Sequence, residues 1–257
     1  MISVLAKVLE KFTIEIIPNL PIFVRTPLYL NILKLRKVKD RLRFVATNKN
    51  PSFEERLDYA LDSRANLNNS GEKLHDFNSN VVLEEIKEGP VKIYKFIPPN
   101  SSKEKYGIYF HGGGYFAGSI TSHKNLISQI SNDSNLIIYF FEYRLSPEYN
   151  FPSAHEDAKL AVDFINTLHP DHQSIWIGES AGGGLATGLV VDKEYLEKPD
   201  NLILLSPWLD LSDGFEDKKF FKNSDVTIII EGMFEVGGFY AGDYGAKNPI
   251  LSPVYAD

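Results

Sequence analysis

From about residue 81 onward, short apolar runs alternate with segments whose apolar residues recur at helical spacing. The clearest run, 135–143 (NLIIYFFEY), is apolar almost throughout, which is typical of a strand buried on both faces of a parallel sheet. Alternating strands and helices predict an α/β fold with a mostly parallel, doubly wound sheet. The predicted strands are 81–87, 91–97, 106–110, 135–143, 174–177 and 201–205, and the predicted helices are 122–132, 152–168 and one that begins at 181.

Turn and cap residues sharpen several of these elements. Gly89-Pro90 lies between the first two strands and predicts a hairpin. Thr121 or Ser122 is expected to cap helix 122–132, and Ser153 is expected to cap the helix after it. The buried stripe of helix 152–168 is predicted to comprise Ala154, Ala158, Ala161, Ile165 and Leu168.

The N-terminal part differs from the rest in charge and pattern. Residues 1–45 hold nine Lys/Arg and three Asp/Glu, a net charge of +6 that leaves −13 for the remainder of a chain of net charge −7. Ile2, Leu5, Leu9, Phe12 and Ile16 share one helical face. Such a helix either contacts a membrane surface or covers the following domain, and the covering role is favoured. We therefore predict an N-terminal helical cap segment over 1–80 and an α/β domain over 81–257.

Composition excludes several classes of site and partner. The net charge of −7 argues against nucleic acid as a partner, and the absence of cysteine rules out disulfides and thiolate metal sites. Charged residues and prolines interrupt the apolar stretch 12–33, so it is not expected to span a membrane, and the N-terminus does not resemble a secretory signal. No metal is expected, and a cytoplasmic location is the prediction.

Two glycine-rich motifs carry the candidate chemistry. The segment 174–177 runs into Gly178-Glu179-Ser180-Ala181-Gly182, and a helical pattern follows. In such a strand–turn–helix a serine is lifted out of the sheet, so Ser180 is the candidate nucleophile. The Ala181 N–H and the helix dipole then lie where negative charge would develop on a tetrahedral intermediate.

The second motif, His111-Gly112-Gly113-Gly114, follows a predicted strand and precedes a predicted helix. Consecutive glycines let the backbone approach a substrate with its N–H groups free to donate. Gly113 and Gly114 are the expected oxyanion donors, and Gly112 is expected to shape the turn. Either motif alone could simply build a tight turn, but both in this order and context favour an oxyanion hole beside a nucleophile.

These motifs resemble those of the hormone-sensitive-lipase-like family of α/β hydrolases, in its bacterial carboxylesterase branch. The resemblance covers about residues 81–257. Besides HGGGYFAGS, it includes YRLSPEYNFPSAHED (143–157), GESAGG (178–183), SPWLDLS (206–212) and NPILSPVYAD (248–257).

The resemblance implies an α/β-hydrolase fold and serine-dependent hydrolysis of carboxylic esters with short to medium acyl chains. The implied partner is a small apolar ester, and no cofactor is implied. His111 is expected to hold the oxyanion loop, and Glu179 stands where the family usually has Asp. Arg144 and Glu148 are implied to be structural partners within their block. Asp210 matches a position outside the catalytic triad.

The match stops before the triad is complete. The hydrolase order is serine, then an acid, then histidine, and the family's acid and histidine lie beyond the segment in which this sequence ends, at Asp257. We therefore expect a C-terminally truncated domain with 201–205 as an exposed edge strand, and an active serine without an assignable acid or base. The other histidines are expected to be surface or local hydrogen-bonding residues: His75, His123, His155, His169 and His172.

Without a base, a serine hydroxyl is a poor nucleophile, so the 257-residue chain is expected to be weakly active or inactive. Two alternatives stay open. One is a non-catalytic small-molecule-binding protein on the same scaffold, and the other is an amidase or deacetylase. Residues 12–33 and 215–244 are expected to form a lid over the acyl pocket.

Overall fold

A computed structural model describes residues 51–74, 76–212 and 230–256 of the chain. Most of these residues belong to one compact unit, 52–213 with 235–257. The described helices are α1 (Phe53–Leu74), α2 (Ile120–Ser134), α3 (Ser153–Thr167), α4 (Ala181–Val191) and α5 (Ile230–Ala241), and the described strands are β1 (Val82–Ile86), β2 (Ile93–Ile97), β3 (Lys105–Phe110), β4 (Ile137–Phe141), β5 (Gln173–Glu179) and β6 (Asn201–Leu205). Short 3-10 turns lie at Gly242–Tyr244 and Pro253–Tyr255.

The described strands form one sheet in the order β1-β2-β4-β3-β5-β6. β1 and β2 make the predicted antiparallel hairpin, and β2 pairs antiparallel with β4. From β4 to β6 every pairing is parallel. The α/β class and the mostly parallel, doubly wound sheet predicted from the sequence are thus confirmed.

The chain reverses its direction of travel across the sheet at β3. It passes from β3 to β4 on one side and then returns to β5 on the other side. In open parallel sheets, the crevice at such a switch point is where ligands bind. Phe110 pairs with Gly178, so the segments that follow β3 and β5 leave the sheet side by side. The two glycine-rich motifs, which begin at His111 and Gly178, lie at these two strand ends.

The core explains why the central strands read as unbroken apolar runs. Ile138, Phe140 and Phe141 on β4 and Ile108 and Tyr109 on β3 are all inaccessible to solvent. Helices cover both faces of these strands, so neither face alternates with polar residues. The predicted strand 135–143 is shorter in the structure, at Ile137–Phe141.

Some predicted element ends were wrong. α2 begins at Ile120 with Ser119 as its cap, because the Ser119 N–H donates to Ser122 Oγ at 2.9 Å and the two serines close the first turn. Pro152 rather than Ser153 precedes α3. Leu168 is 44% exposed and does not continue the buried stripe, because α3 ends at Thr167.

Several expectations fall outside the described residues. The amphipathic segment 2–16, the basic region 1–45, the lid segment 12–33 and residues 215–229 of the second lid segment lie there. The domain division at residue 80 stays a prediction, although α1 belongs to the same compact unit as the sheet. Of the helices described, none has the length and apolar character needed to cross a bilayer. The cytoplasmic location stays a prediction. β6 lies at one edge of the described sheet, with β1 at the other, and Ile203 on β6 is 46% exposed.

Candidate active site

Ser180 occupies the sharp turn between β5 and α4. Its backbone has φ 51° and ψ −118°, a region that costs a residue with a side chain roughly 1–3 kcal/mol. Its N–H donates to the Leu205 carbonyl at 3.0 Å, and its carbonyl accepts from the N–H groups of Trp208 at 2.8 Å and Gly183 at 3.0 Å. The turn is therefore fixed from both sides, and the half-buried Ser180 side chain stands at the carboxyl end of β5.

Small residues allow α4 to pack closely against the strands. A Cβ on Gly178 would lie 2.6 Å from the Gly183 Cα, and a Cβ on Gly182 would overlap the Phe110 carbonyl. Real Cβ atoms do not tolerate such separations from backbone. The glycines on either side of Ser180 are thus required for the close approach of strand and helix that places the serine.

The loop after β3 lies directly beside Ser180. A Cβ on Gly112 would be 3.2 Å from the Ser180 Cβ. Gly113 and Gly114 have φ values of 114° and 64°, and the turn is closed by the N–H groups of Phe116 and Ala117, which donate to the Gly113 carbonyl at 3.2 and 2.9 Å. The turn therefore begins directly beside the serine, and Gly113 and Gly114 in it are partly exposed.

Three backbone N–H groups near Ser180 are without a described acceptor. Within the described part of the chain, the N–H groups of Gly113 and Gly114 have no hydrogen-bond acceptor. Ala181 is the first residue of α4, where N–H groups have no partner within the helix and the helix dipole is positive. Free donors beside a hydroxyl can stabilise an oxygen that becomes negative.

His111 lies inside the loop rather than in the crevice. Its Nδ1 is 2.8 Å from the Gly112 carbonyl, and because a carbonyl can only accept, Nδ1 carries the proton. The ring stacks on Tyr143 at 4.0 Å and is inaccessible to solvent, and the Tyr143 hydroxyl donates to the His111 carbonyl. Burial lowers the pKa of His111 to about 3, so it is neutral at physiological pH.

Glu179, which precedes the serine, is held by two other elements. The Tyr109 hydroxyl on β3 donates to Glu179 Oε2 at 2.9 Å, and His123 Nε2 on α2 lies 3.4 Å from the same oxygen. The hydrogen bond with His123 lowers the pKa of Glu179, although burial opposes it. His123 is buried and, as one of the two expected roles has it, makes local hydrogen-bond contacts with Ser119 and Ser122, but its contact with Glu179 was not predicted from the sequence. Its position directly after Ser122, the second serine of the first-turn pair, could be interpreted only once the true helix start was known.

Arg144 and Glu148 have different partners. Arg144 Nε donates to Asp157 at 2.9 Å and its Nη2 donates to Glu156 at 2.9 Å, both within block 143–157. Glu148 instead receives two hydrogen bonds from Arg64 on α1, each 2.7 Å long. Its partner therefore lies outside the block in which the resemblance placed it, because α1 packs against this loop.

None of the histidines in the described residues hydrogen-bonds the Ser180 hydroxyl. His155 is buried on α3 and contacts the Tyr240 hydroxyl at 3.3 Å. His169 and His172 precede β5, and seven strand residues at roughly 3.3 Å each separate them from Ser180. His75 and Asp257 lie outside the described residues.

Asp210 serves local structure. Its Oδ1 accepts from the Ser212 N–H at 2.8 Å, and its Oδ2 accepts from the Tyr255 hydroxyl at 3.3 Å. Over the described ranges, no cluster of three or more His, Asp or Glu residues could hold a metal ion.

Comparison with known proteins extends these observations. A family model described as alpha/beta hydrolase fold matches residues 107–257. The chain is 27% identical over 167 residues to an esterase of Acinetobacter venetianus, covering 63% of this chain and 54% of that protein. It is 33% identical over 134 residues to an ethyl acetate hydrolase of Pseudomonas putida, covering 48% and 42%. The chain thus spans about half the length of the curated relatives it matches.

Similar solved structures are also esterases and lipases. A hormone-sensitive lipase from a metagenome library superposes with a TM-score of 0.72 and 29% identity, covering 89% of this chain and 72% of the other. The esterase EstE5 gives a TM-score of 0.70 at 27% identity, covering 87% and 74%. The resemblance to hormone-sensitive-lipase-like esterases that the motifs indicated is confirmed by these neighbours.

Proposed function

Because the chain belongs to the alpha/beta hydrolase fold family, we propose that it carries the site of a serine-dependent carboxylesterase. One observation carries this proposal: the Gly112 backbone lies against the Ser180 side chain, and the N–H groups of the next two residues, Gly113 and Gly114, have no acceptor among the described residues. A nucleophile and oxyanion donors must lie about this close for a single carbonyl to contact both.

In this mechanism the Ser180 hydroxyl attacks the ester carbonyl and the carbonyl oxygen becomes an oxyanion. The N–H groups of Gly113, Gly114 and Ala181 stabilise that oxyanion, while Gly112 shapes the turn and His111 holds the loop. Collapse of the intermediate expels the alcohol and leaves an acyl-serine, which water then hydrolyses. No cofactor takes part. Each oxyanion donor typically contributes about 10²–10³ to the rate.

Small apolar esters are the proposed substrates. Similar proteins include an ethyl acetate hydrolase and an acetyl-hydrolase of Streptomyces hygroscopicus, the latter 28% identical over 153 residues. Aromatic side chains lie around the loop: Tyr115 is fully buried and stacks on Tyr240 at 4.1 Å.

Turnover by the 257-residue chain itself is proposed to be slow. No histidine in the described residues hydrogen-bonds Ser180, so no described side chain accepts its proton. In a comparable protease, loss of triad members costs about 10⁶ in turnover and leaves about 10³–10⁴ over water. The oxyanion donors alone would therefore support only a residual rate.

Hydrolysis of p-nitrophenyl acetate and butyrate by the purified chain tests both statements. The expected result is a slow rate that Ser180→Ala removes and that Ser134→Ala, a change at an exposed serine on α2, leaves unchanged. An equal rate in Ser180→Ala would contradict the nucleophile. Turnover at about 10 per second, the median for enzymes, would contradict the slow rate.

A non-catalytic small-molecule-binding protein is the second candidate, favoured by the same lack of a described base at Ser180. It predicts tight binding of an apolar ligand with no covalent labelling of Ser180 by a fluorophosphonate. An amidase or deacetylase would use the same residues, and a panel of matched ester and amide substrates distinguishes it. Arylacetamide deacetylase-like 3 of the mouse is 29% identical to this chain over 173 residues.

A further inference from the structure

Arg64 on α1 connects three segments that are distant in the sequence. Its Nε donates to the Phe116 carbonyl at 2.8 Å and its Nη2 donates to the Ser146 carbonyl at 2.9 Å. Its two terminal nitrogens also bind the Glu148 carboxylate at 2.7 Å each. Only 21% of the Arg64 side chain is exposed. One guanidinium therefore joins α1, the loop after β3 and the loop after β4.

The contacts of Arg64 close a ring around the strained part of the oxyanion loop. The Ser146 N–H donates to the Tyr115 carbonyl at 2.9 Å, and the Ser146 carbonyl accepts from Arg64. Arg64 then returns to the loop through the Phe116 carbonyl. Two successive loop carbonyls are thus held: Arg64 donates to that of Phe116, and Ser146, which Arg64 binds, donates to that of Tyr115.

This loop needs such support because three successive residues have positive φ. Gly113 and Gly114 tolerate that conformation, but Tyr115 at φ 65° carries a side chain. Strained backbone persists only where the surrounding structure over-determines it. The Phe116 ring adds a contact with Tyr59 on α1, with ring centroids 5.6 Å apart. α1 therefore holds the loop in two ways, by the packing of Tyr59 on Phe116 and by the hydrogen bonds of the Arg64 guanidinium.

We propose that Arg64 is a positioning residue that keeps the 113–117 turn, and with it the Gly113 and Gly114 N–H groups, aimed at the oxyanion. This role rests on the proposed function, since it acts through those donors. A planar fork is required, because Nε and both terminal nitrogens donate in fixed directions. Lysine at this position would keep the charge beside Glu148 but could not make the same set of bonds.

Hydrogen exchange measures the turn without requiring activity. The N–H groups of Phe116 and Ala117 close the turn on the Gly113 carbonyl, so their exchange rates report its opening. Arg64→Met should speed their exchange by about tenfold to a hundredfold, as expected for losing hydrogen bonds from a charged donor. Arg64→Lys should fall between this variant and the unmodified chain.

Arg144→Met is the matched control. It also removes a guanidinium from a pair of carboxylates, Glu156 and Asp157, but Arg144 has no described contact with the loop. Its exchange at 113–117 should stay within about twofold of the unmodified chain. Equal acceleration by Arg64→Met and Arg144→Met, or none by Arg64→Met, would overturn the proposal. If Arg64→Met does not fold, Arg64→Lys decides by the same comparison.

Kinetics supply the second readout. In p-nitrophenyl acetate hydrolysis, Arg64→Met should lower kcat about tenfold or more with little change in KM, because the donors act on the transition state. A kcat loss no larger than that of Arg144→Met would overturn the catalytic part of the role. If Ser180→Ala leaves the rate unchanged, the proposed function fails instead, and the exchange comparison still decides whether Arg64 holds the turn.

Discussion

Buried His155 should make the fold sensitive to mild acid. The side chain is 3% exposed on α3, and its Nδ1 contacts the Tyr240 hydroxyl. Burial lowers its pKa from 6.5 to about 4, and the positive charge of Lys159 acts in the same direction. In the unfolded chain the imidazole regains its ordinary pKa. At a pH between these two pKa values, the imidazole of the unfolded chain binds a proton that the imidazole of the folded chain does not.

The sign and size of the effect follow from this difference. Because the folded-state pKa is the lower one, stability is lost as the pH falls from about 6.5 toward about 4, and the loss ends once the folded state is also protonated. One pKa unit corresponds to about 1.36 kcal/mol. At about pH 5 the His155 contribution to the free energy of unfolding should therefore be about 2 kcal/mol lower than at neutral pH.

Urea unfolding at about pH 7.5 and about pH 5 measures this contribution in three proteins. His155→Asn removes the titrating group and leaves a side-chain amide near the Tyr240 hydroxyl. Between the two pH values, the free energy of unfolding of this variant should therefore fall by about 2 kcal/mol less than that of the unmodified chain. Tyr240→Phe keeps the buried imidazole and should retain the full pH dependence. His111 titrates in all three proteins, so its contribution cancels. An identical loss of stability in all three would refute the assignment to His155.

Two further substitutions test how the elbow is held. Gly182→Ala places a Cβ against the Phe110 carbonyl and should lower the free energy of unfolding by about 1–3 kcal/mol. Gly238→Ala is the control, because its Cβ would meet nothing within 4 Å, and it should leave the free energy of unfolding unchanged. Similar melting temperatures for the two variants would refute the packing argument. Glu179→Gln removes the charge beside His123 and should cost about 1–3 kcal/mol at neutral pH. Because the pKa of Glu179 is lowered from 4.5, that cost should fade as the pH drops below about 4.5, and a cost independent of pH would contradict the charge interaction.

Local sequence signals predicted the parts of the fold that depend on neighbours along the chain. The apolar run of β4, the Gly-Pro hairpin and the strand–turn–helix around Ser180 each follow from composition within a few residues, and all three are present. The position of the loop beside the serine was expected from the order and context of the two motifs, whereas the pairing of β3 with β5 that produces it is seen only in the structure.

Contacts between distant segments could not be predicted in this way. Arg64 and Glu148 are 84 residues apart, and no periodicity marks either as the partner of the other. His123 reaches Glu179 only because α2 packs against β2 and β4 with its first turn near Tyr109, and an error of two residues in the start of α2 hides which face His123 occupies. Long-range pairing of side chains is a property of packing, which a linear pattern of polar and apolar residues does not encode.

The backbone bonds of Ser180 also bear on how the protein is synthesised. The serine N–H binds the carbonyl of Leu205, and its carbonyl accepts from the N–H of Trp208, so both partners leave the ribosome after the serine itself. Pairing of β3 with β5 closes a loop of 68 residues (178 − 110), and such long-range parallel contacts form slowly. A nascent chain that stops short of residue 208 lacks the groups that hold the strained turn. The elbow is therefore completed only after β6 and the segment that follows it have emerged.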